Sequence, residues 1–230
     1  MKLLAVDTAT EACSAALLIG DSLLERYEVA PRAHARLLLP MLDSLLAEAG
    51  VKLTDLDAIA FGRGPGSFTG VRIAASVVQG LAFGADLPVL PVSTLAALAR
   101  AALQTTDATH VLAAIDARME EIYWASYQRD ARGEPKALSE EQVTAAQDLV
   151  IAGDADWYGI GTGWAAYESV MRPQFGTRLL GCDAQALPRA AHIAQLAALD
   201  FDEGRALPAE LALPVYIRNQ VAKRPGAAQK

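Results

Sequence analysis

A glycine-rich stretch at residues 62–70 lies between a strand-like apolar run and a helix-like one, and it constrains the fold more than any other feature. The stretch reads Gly-Arg-Gly-Pro-Gly-Ser-Phe-Thr-Gly. Glycine permits positive φ and close backbone approach, while proline stiffens a turn. The stretch therefore predicts a tight strand-to-helix loop. The loop motif consists of Gly62, Gly64, Pro65, Gly66 and Ser67.

The apolar periodicity around this loop predicts an α/β fold. Strands are predicted at residues 3–6, 13–19, 23–29, 57–61 and 89–92. Helices are predicted at residues 34–49 and 68–83, and from a Ser93 cap to about residue 103. The resulting order of elements is βββαβαβα.

A second lobe is indicated by a recurring opening pattern. Val6-Asp7-Thr8 can be placed over Ile115-Asp116-Ala117, each at the end of a strand that a short turn joins to another strand. Duplication explains this likeness, although unrelated hairpins share the same pattern. We predict a first lobe at residues 1–105, a smaller and less regular second lobe at residues 106–218, and a basic, flexible tail at residues 219–230.

Composition limits the functions open to the chain. With 53% hydrophobic and 20% charged residues, the sequence is typical of a globular protein. The formal net charge of −7 disfavours direct gripping of a phosphate backbone, so any nucleic-acid role is expected to be indirect. Cys13 and Cys182 have neither disulfide-framework nor CxxC spacing. Because no signal-peptide pattern follows Met1 and the apolar runs fall short of the ~20 residues of a membrane helix, we expect a cytoplasmic protein that binds no membrane.

Familiar catalytic and metal-binding motifs are missing from the sequence. His34, His110 and His192 are isolated and form no HxxxH or HExxH pair, so no metal site is predicted on this chain. The glycine-rich stretch lacks the lysine of a P-loop and the third glycine of a dinucleotide-binding fingerprint. A tight turn without ligand-binding chemistry accounts for the same residues, and both interpretations stay open here.

Three further positions have the character of a degenerate nucleotide site. Asp7, Thr8 and Asp116 stand at strand ends, where actin-like ATPases and sugar kinases hold magnesium and phosphates. The turns after them contain no glycine, and the second turn places Glu120 and Glu121 where phosphate would lie. Like-charge repulsion disfavours ATP at such a turn. We interpret the three positions as vestigial.

The helix after the loop carries two stripes of small residues at a spacing of four. One stripe is Gly66, Gly70 and Ala74, and the other is Ser76, Gly80 and Gly84. One stripe can pack on the chain's own sheet, and the other can admit a partner helix at short distance. The preceding helix is apolar nearly all round, which fits either a partner contact or deep burial.

These features together resemble the TsaB family, also called YeaZ. The likeness rests on the Val6-Asp7-Thr8-Ala9-Thr10 opening, the βββαβαβα order and, above all, the motif at residues 62–73. It continues more loosely through Asp116-Ala117-Arg118, Tyr123 and Pro214-Val215-Tyr216-Ile217-Arg218. The resemblance implies an actin-like ATPase fold (ASKHA, ribonuclease H-like) built from duplicated βββαβαβα lobes.

The resemblance also implies a non-catalytic role in forming threonylcarbamoyl-adenosine beside the tRNA anticodon. In this family a catalytic paralogue, TsaD, carries the metal site, and a small ATPase, TsaE, associates with the pair. No cofactor is therefore expected on this chain, whereas ATP or threonylcarbamoyl-adenylate and metal are expected on the partner proteins. Contact with tRNA is expected to be indirect.

Partner binding in the family uses the first two helices of the N-terminal lobe, which form a four-helix bundle with TsaD or, in isolation, with a second copy. The matching positions here are His34, Leu37, Leu38, Met41, Leu45, Phe68, Thr69, Gly70, Arg72, Ile73, Ala74, Val77 and Gly80. On this basis, Gly70→Arg or Ala74→Arg is expected to abolish partner binding while leaving the fold intact.

Two other classes of function stay open from the residues alone. An independent actin-like ATPase or small-molecule kinase would bind magnesium-ATP, whereas a scaffold subunit would not. A homodimer with regulatory or proteolytic activity would agree with the older M22 glycoprotease label of the family. The latter is disfavoured because no set of residues in the sequence suits peptide cleavage.

Overall fold

Two mixed β-sheets with helices on their faces make up residues 1–151 and 153–218, which the computed structural model of the chain describes. The first sheet is formed by β1 (Lys2–Asp7), β2 (Ala12–Ile19), β3 (Ser22–Val29), β4 (Ala58–Gly62) and β5 (Val89–Val92). The helices between its strands and after them are α1 (His34–Ala49), α2 (Phe68–Ala85) and α3 (Thr94–Thr105). The predicted βββαβαβα order is thus confirmed, and Ser93 caps α3 as predicted, accepting from Ala96 N at 3.1 Å.

The second sheet is formed by six strands. They are β6 (His110–Arg118), β7 (Glu121–Arg129), β8 (Pro135–Ala137), β9 (Gln142–Ala145), β10 (Trp157–Ile160) and β11 (Leu179–Asp183). Its part of the chain also contains α4 (Thr162–Phe175) and α5 (Ala190–Asp202).

The two sheets share one topology. The first has the order β3-β2-β1-β4-β5 and the second β8-β7-β6-β10-β11, with β9 pairing to β7 beside β8. In each sheet the first three strands pair antiparallel and the last two join in parallel. This repeat confirms the duplicated actin-like (ASKHA, ribonuclease H-like) fold, and it places Asp7 and Asp116 near the ends of equivalent strands.

The second lobe departs from the predicted repeat where α1 stands in the first. Among the described residues, that place holds β9 and a short 3₁₀ turn (Ala146–Asp148). Ala146 and Leu149 are buried there and cover the sheet face that a helix covers in the first lobe. The repeated helix is lost because this segment lacks a run of apolar residues at helical spacing.

The hydrophobic cores cross the predicted boundary at residue 105. Leu95, Leu98 and Ala102 of α3 pack with strands of the second sheet. Conversely, Ile193 and Ala197 of α5 pack against the first sheet. The boundary therefore separates the sheets, while each core includes one helix from the other side of it.

The glycine-rich loop lies directly against the end of β1. A Cβ at Gly62 would overlap the Asp7 carboxyl group, one at Gly66 would lie 2.5 Å from Ala9 O, and one at Gly70 would overlap Thr8 O. Each of these three glycines is therefore required by close backbone approach. Thr8 Oγ1 donates to the Gly70 carbonyl at 2.7 Å, which fixes the first turn of α2 to the strand end.

Burial beneath Gly62 also changes the chemistry of Asp7. Its side chain is fully buried, and Oδ1 accepts from Ala9 N at 3.0 Å. Within the described residues Oδ2 has no hydrogen-bond partner, and neither does the nearby Thr94 Oγ1. Desolvation raises the pKa of Asp7 from 3.8 to about 7, against the smaller lowering effect of the Ala9 amide.

The helix α2 also meets the length and composition of a membrane-spanning helix, contrary to the expectation from its apolar runs. Its mean hydropathy is 1.3 over 18 residues, and 33% of these residues are buried. Core helices of globular proteins pass the same test, and Ala74, Val78 and Ala82 pack into the core under the first sheet.

A pair of alanine substitutions separates the two glycine stripes of α2. Gly70→Ala should lower the free energy of unfolding by about 3 kcal/mol, because its methyl group overlaps the Thr8 carbonyl. Gly80→Ala should raise it by up to about 1 kcal/mol, since nothing lies within 4 Å of the added group and alanine favours the helix. Urea unfolding monitored by circular dichroism measures both, and equal effects would contradict the assigned packing.

The buried Asp7 carboxyl predicts an unusual pH dependence of stability. A folded-state pKa of about 7 against an unfolded value near 3.8 means that Asp7 imposes no ionisation penalty on folding below pH 4, and that its penalty grows as pH rises to about 7. The gap corresponds to roughly 4 kcal/mol. Asp7→Asn, which keeps the shape but cannot ionise, should gain that stability over the natural chain between pH 4 and pH 8. If the difference in free energy of unfolding between the two chains stayed constant across this pH range, the raised pKa of Asp7 would be contradicted.

Candidate functional site

One face of α2 is exposed and combines apolar with small residues. Phe83 is 80% exposed and Phe68 is 44% exposed, while Ile73 and Val77 are half-buried between them. Ser76, Gly80 and Gly84 lie on the same side, and added side chains at both glycines would meet open space. This is the outward stripe of small residues, and its groove is open to a neighbouring helix.

The helix α1 is amphipathic rather than apolar all round. Leu38, Leu42 and Leu45 are buried in the first core, which accounts for much of its apolar character. Leu37 and Met41 are half-buried, and Leu39 is 47% exposed. The helix continues through Pro40 without interruption. The helix α1 therefore exposes less apolar area than its sequence indicates.

Five of the predicted interface residues are buried within this chain, so they contribute little exposed area for a partner. His34 lies against Ala12, with Nε2 at 3.2 Å from the carbonyl oxygen. The five are His34, Leu38, Leu45, Gly70 and Ala74. The expectation that Gly70→Arg or Ala74→Arg would leave the fold intact is wrong for the same reason. The inward stripe Gly66, Gly70 and Ala74 packs on the chain itself.

The remaining predicted interface positions are exposed or half-buried on α1 and α2. They are Leu37, Met41, Phe68, Thr69, Arg72, Ile73, Val77 and Gly80. Together with Ser76, Phe83 and Gly84 they form a surface that we call the helix face. Phe83 was not among the predicted interface residues, although its spacing from Ser76 and Gly80 places it on the outward stripe.

Aromatic and cationic groups cluster at the N-terminal end of the helix face. The Arg72 guanidinium lies 3.5 Å from the centre of the Phe68 ring, and its Nε donates to Tyr216 Oη at 2.6 Å. The Phe68 and Tyr216 rings are 5.6 Å apart. The C-terminal segment thus joins the helix face, a contact that sequence spacing across more than a hundred residues does not reveal.

A cleft of about 1040 Å³ opens between the two lobes. The first lobe contributes Thr10, Glu11, Arg32 and the loop around Ser67, and the second contributes the β6–β7 turn and the start of α4. Among the turn residues, Arg118 and Met119 line the cleft, whereas Glu121 forms an ion pair with Arg218. Neither Glu120 nor Glu121, the expected pair of carboxylates, is among the residues that line the cleft.

Asp7, Thr8 and Asp116, interpreted from the sequence as a vestigial nucleotide site, are all held by internal contacts. Asp7 is buried under Gly62, and the Thr8 hydroxyl is bonded to the backbone of α2. Asp116 accepts from Arg118 N at 2.8 Å and Tyr167 Oη at 3.2 Å, and it pairs with the Arg118 guanidinium at 2.9 Å. Burial and the Asp116 charge raise the pKa of Tyr167, which keeps its hydroxyl protonated as a donor.

An ion pair joins the glycine-rich loop of the first lobe to the second lobe. Arg63 binds Glu141 in a bidentate arrangement at 2.9 and 3.0 Å, and both side chains are largely buried. This pair was not predicted, because 78 residues separate its members along the chain. In the stretches 1–151 and 153–218, no group of three His, Cys, Asp or Glu side chains is placed to hold a metal ion.

Comparison with known proteins places these features in one family. The family model described as "TsaD: tRNA N6-adenosine threonylcarbamoyltransferase" matches residues 26–224. The solved structure of YeaZ from Pseudomonas aeruginosa is 50% identical, with a TM-score of 0.87 over 94% of this chain and 99% of that one.

Two proteins named tRNA threonylcarbamoyladenosine biosynthesis protein TsaB are similar over nearly their whole length. The Escherichia coli protein is 44% identical, covering 98% of this chain and 99% of its own, and the Haemophilus influenzae protein is 43% identical, covering 98% of each. From these matches and the duplicated fold, the chain belongs to the TsaB (YeaZ) family of tRNA threonylcarbamoyladenosine biosynthesis proteins.

Proposed function

We propose that this chain is a non-catalytic scaffold subunit that binds and activates a TsaD-type paralogue, with a TsaE-type ATPase joining the pair. The observation that carries the proposal is the open stripe of small residues on the helix face. Ser76, Gly80 and Gly84 are exposed on a helix whose other side is buried in the core. Such a stripe lets a second helix approach at the short end of the usual 8–10 Å interaxial range.

The flanks of the stripe supply apolar area for such a contact. Phe83 is 80% exposed, and Ile73 and Val77 are only half-buried. Large side chains of this kind act as anchors when a partner provides pockets for them, and the small residues between them set the distance. A duplicated-fold paralogue would offer an equivalent pair of helices, so the contact would be a four-helix bundle.

The same face would bind a second copy of this chain when the paralogue is absent. An exposed apolar surface is stabilised by any partner that buries it, and the concentrations of the two partners decide which complex forms. We infer that the homodimer and the heterodimer compete for the helix face.

The contacts of the vestigial positions favour a scaffold over an independent ATPase or kinase. Coordination of magnesium by Asp7 would require Gly62 to move off its carboxyl group. Phosphate binding by Thr8 would release the hydrogen bond that holds the start of α2. We therefore infer that ATP, the threonylcarbamoyl-adenylate and metal are held by the partner proteins, in the cytoplasm, and that tRNA contacts them rather than this acidic chain.

A charged substitution in the stripe tests the docking proposal. Ser76→Arg should weaken binding of the TsaD-type paralogue by at least ~100-fold, because a long cation at a close helix crossing must be desolvated. Ser169→Arg, at an exposed position of α4 in the second lobe, makes the same change away from the helix face and should bind normally. Co-purification and titration calorimetry measure the difference.

The fold of both arginine variants is checked by circular dichroism before binding is measured. If Ser76→Arg is folded and binds with unchanged affinity, the helix face is not the docking surface. If it loses binding, a reconstituted threonylcarbamoyl-adenosine assay with the paralogue and the ATPase should lose activity in parallel.

Nucleotide titration separates the scaffold from the ATPase alternative. Calorimetry of the isolated chain with magnesium-ATP should show no tight binding, and no phosphate should be released. Tight binding accompanied by turnover would favour the ATPase or kinase interpretation instead. Asp7→Asn is then the matched variant, because it would abolish a genuine metal site.

A further inference from the structure

We propose that residues 213–218 form a strap that limits how far the inter-lobe cleft can open and couples the cleft to the helix face. The coupling to partner binding rests on the function proposed above, whereas the limit on opening does not. We call this segment the C-terminal strap. Its members 215–218 line the cleft.

The strap is seated on the glycine-rich loop of the first lobe. Val215 N donates to the Arg63 carbonyl at 2.8 Å. Gly64 has a φ of 102°, and a Cβ there would press on the Val215 carbonyl oxygen at 3.1 Å. Glycine is therefore favoured at position 64, because it adopts this positive φ without strain and leaves room for the strap.

The next residue attaches the strap to the helix face. Tyr216 packs on Phe68 with ring centres 5.6 Å apart, and its hydroxyl accepts from Arg72 Nε at 2.6 Å. Tyr216 and Phe68 are each 44% exposed, so water competes for this cluster in the isolated chain. A partner that covers Phe68 and Arg72 would exclude that water and strengthen the contacts.

Two residues further on, the strap reaches the second lobe. Arg218 donates to the Ala117 carbonyl at 3.0 Å and forms an ion pair with Glu121. The Arg218 side chain is only 15% exposed, so this pair is less screened than a surface pair. Ala117 and Glu121 flank the β6–β7 turn, whose residues Arg118 and Met119 line the cleft.

The geometry makes the strap a short tether between the lobes. Only Ile217 separates the residue held by α2 from the residue held by β6 and β7. Opening the cleft must therefore break the Arg218 contacts or pull Tyr216 away from Phe68 and Arg72. A partner that binds the intact cluster more tightly than the broken one shifts the equilibrium toward the narrower cleft in which the strap contacts are formed.

A distance measurement across the cleft tests the strap in the full chain. Spin labels are placed at Val29→Cys and Gln185→Cys, which are exposed cleft residues on opposite lobes, with Cys182→Ser to remove the partly exposed thiol. Arg218→Gln should shift the distance distribution to longer values and broaden it. Arg205→Gln removes an arginine ion-paired with Asp200 and Glu203, contacts that do not involve the strap, and should leave the distribution unchanged.

Glu121→Gln breaks the same ion pair from the second lobe and should reproduce the shift, which keeps the test available if Arg218→Gln fails to fold. An unchanged distribution in the folded variants overturns the strap. Addition of the TsaD-type paralogue should narrow the distribution of the labelled chain that keeps Arg218 and Glu121. If the paralogue binds but the distance distribution does not narrow, the coupling between cleft and helix face is overturned and the strap is not. If the paralogue does not bind, the proposed function is overturned, and the measurement on the isolated chain still tests the strap.

Discussion

The close approach of the glycine-rich loop to the end of β1 is the contact on which the rest of the first lobe depends. Gly62, Gly66 and Gly70 each leave room for one residue of the β1 end, and any side chain there would push the loop away. With the backbones in contact, Thr8 can bond the first turn of α2 and fix the direction of that helix. The orientation of the helix face follows from this contact, because its residues all lie on α2 or on the adjacent α1.

The same contact sets the chemical environment of Asp7 at the end of β1. A loop packed this tightly buries Asp7 and leaves one of its oxygens without a partner in the described residues. Because a charge is costly in this buried position, the pKa of Asp7 rises to about 7. The contact that positions α2 is thus also the contact that holds the Asp7 carboxyl away from solvent.

Much of the fold was predictable because it depends on local periodicity. The strands, the helices and the Ser93 cap follow from apolar spacing and capping chemistry within a few residues of each other. The missing helix of the second lobe and the exchange of α3 and α5 between the cores were not predicted, because they depend on which sheet a helix packs against. Residue spacing carries no information on that choice.

The helix face was predictable in kind but not in detail. Two stripes of small residues indicated two close neighbours, and the structure makes the stripe through Gly70 the inner one. Their sequences are too similar to tell which faces inward, since both consist of glycine, alanine or serine. The difference arises from Thr8, which lies against Gly70 because β1 pairs with β4. The outer stripe stays exposed because tertiary packing buries the inner stripe against the end of β1, a choice that local sequence does not determine.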